Sequence, residues 1–207
     1  MNSPDTETIE LLSSAAKPTP LFVLLHDAGG TAADMLALGR VLGDAFAASA
    51  VLIPEGMTGE AVGGEDLDAL AKRVDTLAAF LRAQQQRFGV LQSDTALVGF
   101  GAGARLALAL SSAHDGLVGR VLAFGGSYAV LPTTAPVLTT LHFLHGAKDP
   151  LVPVSRVRQE FEHLMDLKAD ATLDVASSLG HELHPALMDQ AVKRLQTCVP
   201  LRFWKAL

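Results

Sequence analysis

Three places in this chain combine residue types and an order that could do chemistry. They are the glycine-rich turn VGFGAGA at residues 98–104, Asp149 within HGAKDPLVPV, and His181 within SSLGHELHP. An aspartate can fix the tautomer of a histidine and stabilise its imidazolium, which makes the histidine a positioned base. A glycine-rich passage from a strand into a helix is where α/β proteins bind phosphates or display a nucleophile. The chemistry therefore turns on what residues 98–104 do.

Gly99, Gly101 and Ala104 fit G-x-G-x-x-[GA], the dinucleotide fingerprint, in the correct strand-to-helix setting. That reading requires an acidic residue at the end of the next strand to bind a ribose, and VLAFGGS, Val121 to Ser127, carries none. The fingerprint also normally opens the first βαβ unit, whereas two strand-helix units precede it here. A Gly-rich dinucleotide-binding protein is kept as the minor alternative. In the other register Gly99-Phe100-Gly101-Ala102-Gly103 fits the nucleophile elbow G-x-S-x-G, with Gly101 in the place of the serine. An acid and then a histidine should follow, each in a loop after a later strand, and Asp149 and His181 do so in that order.

Each residue has a plainer reading on its own. Asp149-Pro150 makes a turn, because Asp and Pro favour turns locally, and His181 taken alone is an exposed loop histidine. His26 and His145 are read as hydrogen-bonding backbone near strand ends. His181 and His184 form an H-x-x-H pair that zinc would need His26 or Asp149 to complete; with no HExxH helix and no cysteine pair, neither a metal nor a cofactor is expected. Ser127 is the one serine placed to act as a displaced nucleophile. Cys198 falls in the last helical pattern as a small buried hydrophobe.

The elements that must hold these residues alternate along the chain. β-rich runs appear at Leu21 to Leu25, Ala50 to Ile53, Thr95 to Val98, Gly119 to Phe124, Thr139 to Leu144 and Ala171 to Val175, each followed by a Gly or Pro turn. Between most of them lie helical patterns. The clearest is the stripe Leu67, Leu70, Val74, Leu77, Leu81, opened by Glu65, Asp66 and Asp68, whose charges suit a helix N-terminus. Phe161, Leu164, Met165 and Leu187, Ala191, Val192, Leu195 mark two more. Continuously apolar strands alternating with helices imply a mostly parallel open sheet of at least six strands, covered on both faces. Ligands gather at the C-terminal edge of such a sheet.

At 207 residues and 49% hydrophobic the chain is long and apolar enough to form one domain, 1–207, with a substantial core. Its net charge of −6 and scattered basic residues provide no field for nucleic acid. The single Cys198 points to a reducing compartment. The opening MNSPDTETIE lacks the cationic and apolar regions of a signal peptide, and no apolar stretch reaches a membrane-spanning length. A cytoplasmic location is expected, with no membrane span. Partners reduce to a small molecule, a protein, or a second copy in a homodimer.

Here the chain resembles the α/β hydrolases of the serine carboxylesterase and phospholipase type, including small bacterial esterases and acyl-protein thioesterases, from about Phe22 to the C-terminus. Relatives carry a strand ending in His-Gly-x-Gly, an elbow G-F-S-Q-G, an H-G-x-x-D-x-x-V-P segment and a late Gly-His. This chain reads His26-Asp27-Ala28-Gly29, Gly99-Phe100-Gly101-Ala102-Gly103, His145-Gly146-Ala147-Lys148-Asp149-Pro150-Leu151-Val152-Pro153 and Gly180-His181 at those places. The resemblance implies an α/β-hydrolase fold, ancestral carboxylic ester hydrolysis, a dyad of Asp149 and His181 hydrogen-bonded to each other, and an oxyanion hole from the backbone N–H groups of Ala28 and Ala102.

Three departures set this chain apart. Gly101 has nothing with which to attack an ester. Asp27 replaces a family glycine beside the oxyanion hole, where its carboxylate would repel a developing oxyanion unless it turned away. The segment from Pro54 to Gly64 is short and lacks the Trp-Phe pair of many relatives. Glycine is an easy replacement at an elbow, since it adopts positive φ freely while other residues pay about 1–3 kcal/mol. Two functions follow from these departures. One is an impaired hydrolase homologue that binds a small acyl or ester-like ligand or a protein. The other is an altered hydrolase in which His181, oriented by Asp149, activates a water in the space the serine vacated.

Overall fold

The computed structural model describes residues 7–58 and 66–201. Its sheet is built from the strands the apolar runs predict, β2 (Leu21–Leu25), β3 (Ala50–Pro54), β4 (Thr95–Phe100), β5 (Arg120–Phe124), β6 (Thr140–Gly146) and β7 (Ala171–Ala176), preceded by β1 (Thr8–Leu12). The strand order is β1-β3-β2-β4-β5-β6-β7; β1 pairs antiparallel with β3 and all the other neighbours are parallel. The chain leaves β2 in one direction to make β3, then crosses back to β4 on the other side of β2. That reversal opens the crevice at the sheet's C-terminal edge in which doubly wound folds bind ligands.

Burial on both faces explains why β2, LFVLL, and β3, AVLIP, read as unbroken apolar runs. In β2, Leu21, Val23 and Leu25 pack with α2 (Leu67–Phe88), α3 (Ala102–Ala113) and α4 (Val154–Asp166), while Phe22 and Leu24 point the other way, toward α1 (Leu36–Ala45) and α5 (Pro185–Thr197). The stripe on α2 faces the first of these layers with Leu70, Val74, Leu77 and Leu81, all buried, and each such leucine contributes about 1.5–3 kcal/mol by leaving water. The Asp66 carboxylate caps the helix by accepting from the Asp68 N–H, and Gly89 at φ 65° ends it. Glu65 and most of the 54–64 segment lie outside the described residues.

Two elements were not singled out from sequence. β1 is a partly exposed edge strand held by backbone pairing to β3, and α1 fits against β3 through Gly39, where a Cβ would lie 3.2 Å from Leu11 and 3.3 Å from Ile53. One placement is corrected: Cys198 is not inside the last helix but caps its end, half-buried rather than buried, because α5 stops at Thr197. Among the described residues no helix is long and apolar enough to cross a membrane.

Candidate active site

Four loops at the C-terminal edge converge on one point. The turn after β2 carries Asp27 and Ala28, the turn after β4 carries Gly101 and Ala102, and the loops after β6 and β7 carry Asp149 and His181. The elbow itself is sharp. Gly101 has φ 54° and ψ −112°, a backbone region open to glycine, and its N–H donates to the Phe124 carbonyl at 2.9 Å. Gly103 lets α3 approach β2 closely, since a Cβ there would run into the backbone carbonyls of Leu25 and His26.

Asp149 is held before it meets its partner. One carboxylate oxygen accepts from the Leu151 and Val152 N–H groups at 2.8 and 2.9 Å, and the side chain has no exposure. The other oxygen lies 2.7 Å from His181 Nδ1. The pair expected from sequence is thus in direct contact, with no water between. His181 also stacks on Phe100, ring centroids 4.6 Å apart, and lies beside Gly125, where a Cβ would come within 3.2 Å of the imidazole. The ring is fixed in place as well as polarised.

Asp27 does not turn away as its charge beside the hole would suggest. Its Oδ1 accepts from the Ala102 N–H at 2.6 Å and the Ala28 N–H at 2.8 Å, and its Oδ2 lies 3.1 Å from His181 Nε2. Both backbone donors expected to receive a substrate oxyanion are therefore spent on this carboxylate. It also fills the volume that any side chain at position 101 would need, because a Cβ built on Gly101 would fall directly on it. The space in which a His181-activated water was expected holds Asp27 instead.

The physics of this placement is self-consistent. α3 points its positive N-terminal end at the carboxylate. Burial alone would push the Asp27 carboxyl up, but the hydrogen bond from His181 and the N–H groups of Ala102 and Ala28 outweigh it and hold it below the usual aspartate value. His181 is raised above its usual value, chiefly by its hydrogen bond to Asp27 and then by Asp149, against the opposing effect of burial. An imidazole with a carboxylate on each nitrogen is best satisfied as an imidazolium, since both ring nitrogens then donate.

The remaining sequence candidates make their hydrogen bonds elsewhere, although His145 Nε2 lies 3.8 Å from the Asp149 carboxylate. His26 and His145 meet backbone carbonyls as expected, Nδ1 of His26 at 2.8 Å from the Asp27 carbonyl and Nε2 of His145 at 2.8 Å from that of Val152. His184 caps α5, its Nδ1 accepting from the Ala186 N–H. Ser127 is buried and its Oγ has no hydrogen-bond partner among the described residues, His181 included. Asp27 is the member that sequence reasoning noticed without assigning to the site. The available signal was a pair of departures, no side chain at 101 and a carboxylate at 27, in the turns after neighbouring strands.

Comparison with known proteins agrees with this architecture. The chain is 32% identical over 208 residues to the esterase YpfH of Escherichia coli (strain K12), covering 94% of this chain and 90% of that protein. Among solved structures, esterase PE8 superposes with a TM-score of 0.83 at 24% identity, covering 94% of this chain and 99% of the other, and the Bacillus cereus carboxylesterase with a TM-score of 0.79 at 16% identity, covering 95% and 96%. These two likenesses speak for the fold. Residues 57–199 match the model of the phospholipase/carboxylesterase family. With an α/β-hydrolase sheet, a hydrogen-bonded Asp149–His181 pair at its C-terminal edge and an elbow centred on Gly101, the chain belongs to the phospholipase/carboxylesterase family.

Proposed function

We propose that this protein is a carboxylesterase-family hydrolase homologue in which serine-based ester cleavage has been given up, and whose site takes a small neutral ligand. One observation carries this reading: the Asp27 carboxylate bonds both N–H groups of the oxyanion hole and stands where the serine side chain would be. An acyl-enzyme route needs a nucleophile at position 101 and an empty hole for the carbonyl oxygen, and neither is on offer. The same negative charge disfavours anionic acyl ligands and leaves neutral ester-like molecules as the better fit. Hydrolysis by a His181-bound water would require Asp27 to release Nε2 first.

The test combines labelling with turnover. Wild-type protein should remain unlabelled by a fluorophosphonate, which reacts only with an activated serine. It should also hydrolyse short nitrophenyl esters no faster than the His181→Ala variant. Labelling, or ester turnover that His181→Ala abolishes, would overturn the reading.

A further inference from the structure

We propose that Asp27 is itself a nucleophile, and that the site hydrolyses small epoxides through a covalent ester on the Asp27 carboxylate. The inference rests on the reading above, that the serine route is closed. Its own support is the division of labour between the two oxygens of one side chain. Oδ1 is held by two backbone N–H groups at 2.6 and 2.8 Å, whereas Oδ2 has His181 Nε2 at 3.1 Å as its one hydrogen-bond partner among the described residues. The Asp27 side chain is 27% exposed, so a small molecule can reach it.

This arrangement suits attack on saturated carbon and is unsuited to attack on a carbonyl. Carbonyl addition would place a new oxyanion on the substrate, and the donors for it are already engaged by Oδ1. Opening an epoxide at a saturated carbon frees its oxygen away from the attacked carbon, where His181 rather than the hole can neutralise it, so the first step proceeds with the hole full. The hole is needed in the second step, where the charge develops on the enzyme's own ester oxygen, and Oδ1 is already seated there. Carboxylates are established nucleophiles of this kind in covalent catalysis.

The leaving group follows from the one donor at hand. Oδ2 attacks an epoxide carbon, the ring C–O bond breaks, and the released alkoxide takes the Nε2 proton of the His181 imidazolium, giving a hydroxyalkyl ester and neutral His181. Asp149 keeps Nδ1 in place throughout. Neutral His181 then removes a proton from water as the hydroxide adds to Asp27 Cγ. The tetrahedral oxyanion sits at Oδ1 against Ala28 and Ala102. Collapse breaks the bond from Cγ to the alkyl oxygen, which takes the proton back from His181, and the diol leaves. The new carboxyl passes its proton to His181, restoring the starting pair. The balance is epoxide plus water to diol, with Oδ2 departing in the product and a water oxygen replacing it. The raised affinity of His181 for its proton supplies the acid of the first step.

Oxygen-18 water and styrene oxide test this on the wild-type chain. Turnover should yield the diol and place the label in the peptide that contains Asp27. In His181→Gln, which loses both the acid of ring opening and the base of ester hydrolysis, diol formation should fall by about 10²-fold or more, and labelling of that peptide should fall with it. Label in the diol alone, or neither diol nor label, would overturn the proposal and leave Asp27 as a fixed plug. Labelling by a fluorophosphonate would instead strike the reading of the lost serine route, so the two failures are told apart.

Discussion

Gly101 and Asp27 occupy one volume. A Cβ on Gly101 would fall onto the Asp27 carboxylate, with even the farther oxygen only 2.6 Å away. β2 and β4 are hydrogen-bonded neighbours, Leu25 paired with Gly99, so the two turns leave the sheet side by side. What either residue can be is set by the other.

This dependence makes reconstruction of a serine site a two-residue problem. Gly101→Ser alone should destabilise the fold by more than the roughly 1–3 kcal/mol of elbow strain, because the new side chain must expel Asp27, and it should gain little esterase activity. Gly101→Ser with Asp27→Gly escapes the clash, should lose the strain and the Asp27 hydrogen bonds, and should hydrolyse short nitrophenyl esters above wild type, in a His181-dependent way. Urea unfolding and ester assays on the four variants of the cycle measure both effects.

The pH dependence of stability should carry the signature of the Asp27–His181 pair. His181 is raised in the folded state, so its contribution is complete below its ordinary 6.5 and is lost as pH rises through the higher folded value. Asp27 is lowered, so its contribution is present above 3.8 and is lost as pH falls through the lower folded value. The pair therefore helps most between about 4 and 6.5. Asp27→Asn should flatten the alkaline limb and move the His181 titration, followed by NMR, to lower pH. An unchanged His181 midpoint would mean that Asp27 does not contact the ring in solution.

Asp149→Ala should cost about 3 kcal/mol. It strands the N–H groups of Leu151 and Val152 and the Nδ1 of His181, and unsatisfied buried donors cost about 1–3 kcal/mol each. Asp149→Asn, which can still accept from the two backbone groups, should cost less. Denaturant unfolding of the two variants gives the comparison.

Gly103→Ala should be worse tolerated than Gly29→Ala. Both enlarge a glycine near the site, but the first drives a methyl into the backbone carbonyls of β2, which cannot move aside. The second meets open space and bears only the strain of φ 71°. Thermal unfolding should rank them in that order; the reverse order would deny the close seating of α3 on the sheet.

Much of this was legible in the chain itself, for reasons that lie in burial. β2 through β5 announce themselves because both of their faces are covered, so their interiors are apolar, whereas β6 carries the buried His142 and the half-buried edge strand β7 carries Thr172 and Asp174. β1, TIELL, lies at an edge with one side open, and backbone pairing, which leaves no trace in composition, places it. The contact of Asp149 with His181 could be read from the order of motifs, since each sits in a turn after its own strand. The inward rotamer of Asp27 could not. It depends on an empty volume contributed by Gly101, 74 residues away, and only the pairing of β2 with β4 brings the two together.

The shared volume also constrains history. A lineage passing between a serine at 101 and an inward carboxylate at 27 cannot install the second before removing the first, because the two side chains exclude each other. One route that avoids the clash runs through a form with glycine at both positions, its oxyanion hole empty and its histidine unpartnered at Nε2. Such an ancestor would have been silent in either chemistry while keeping the scaffold for both.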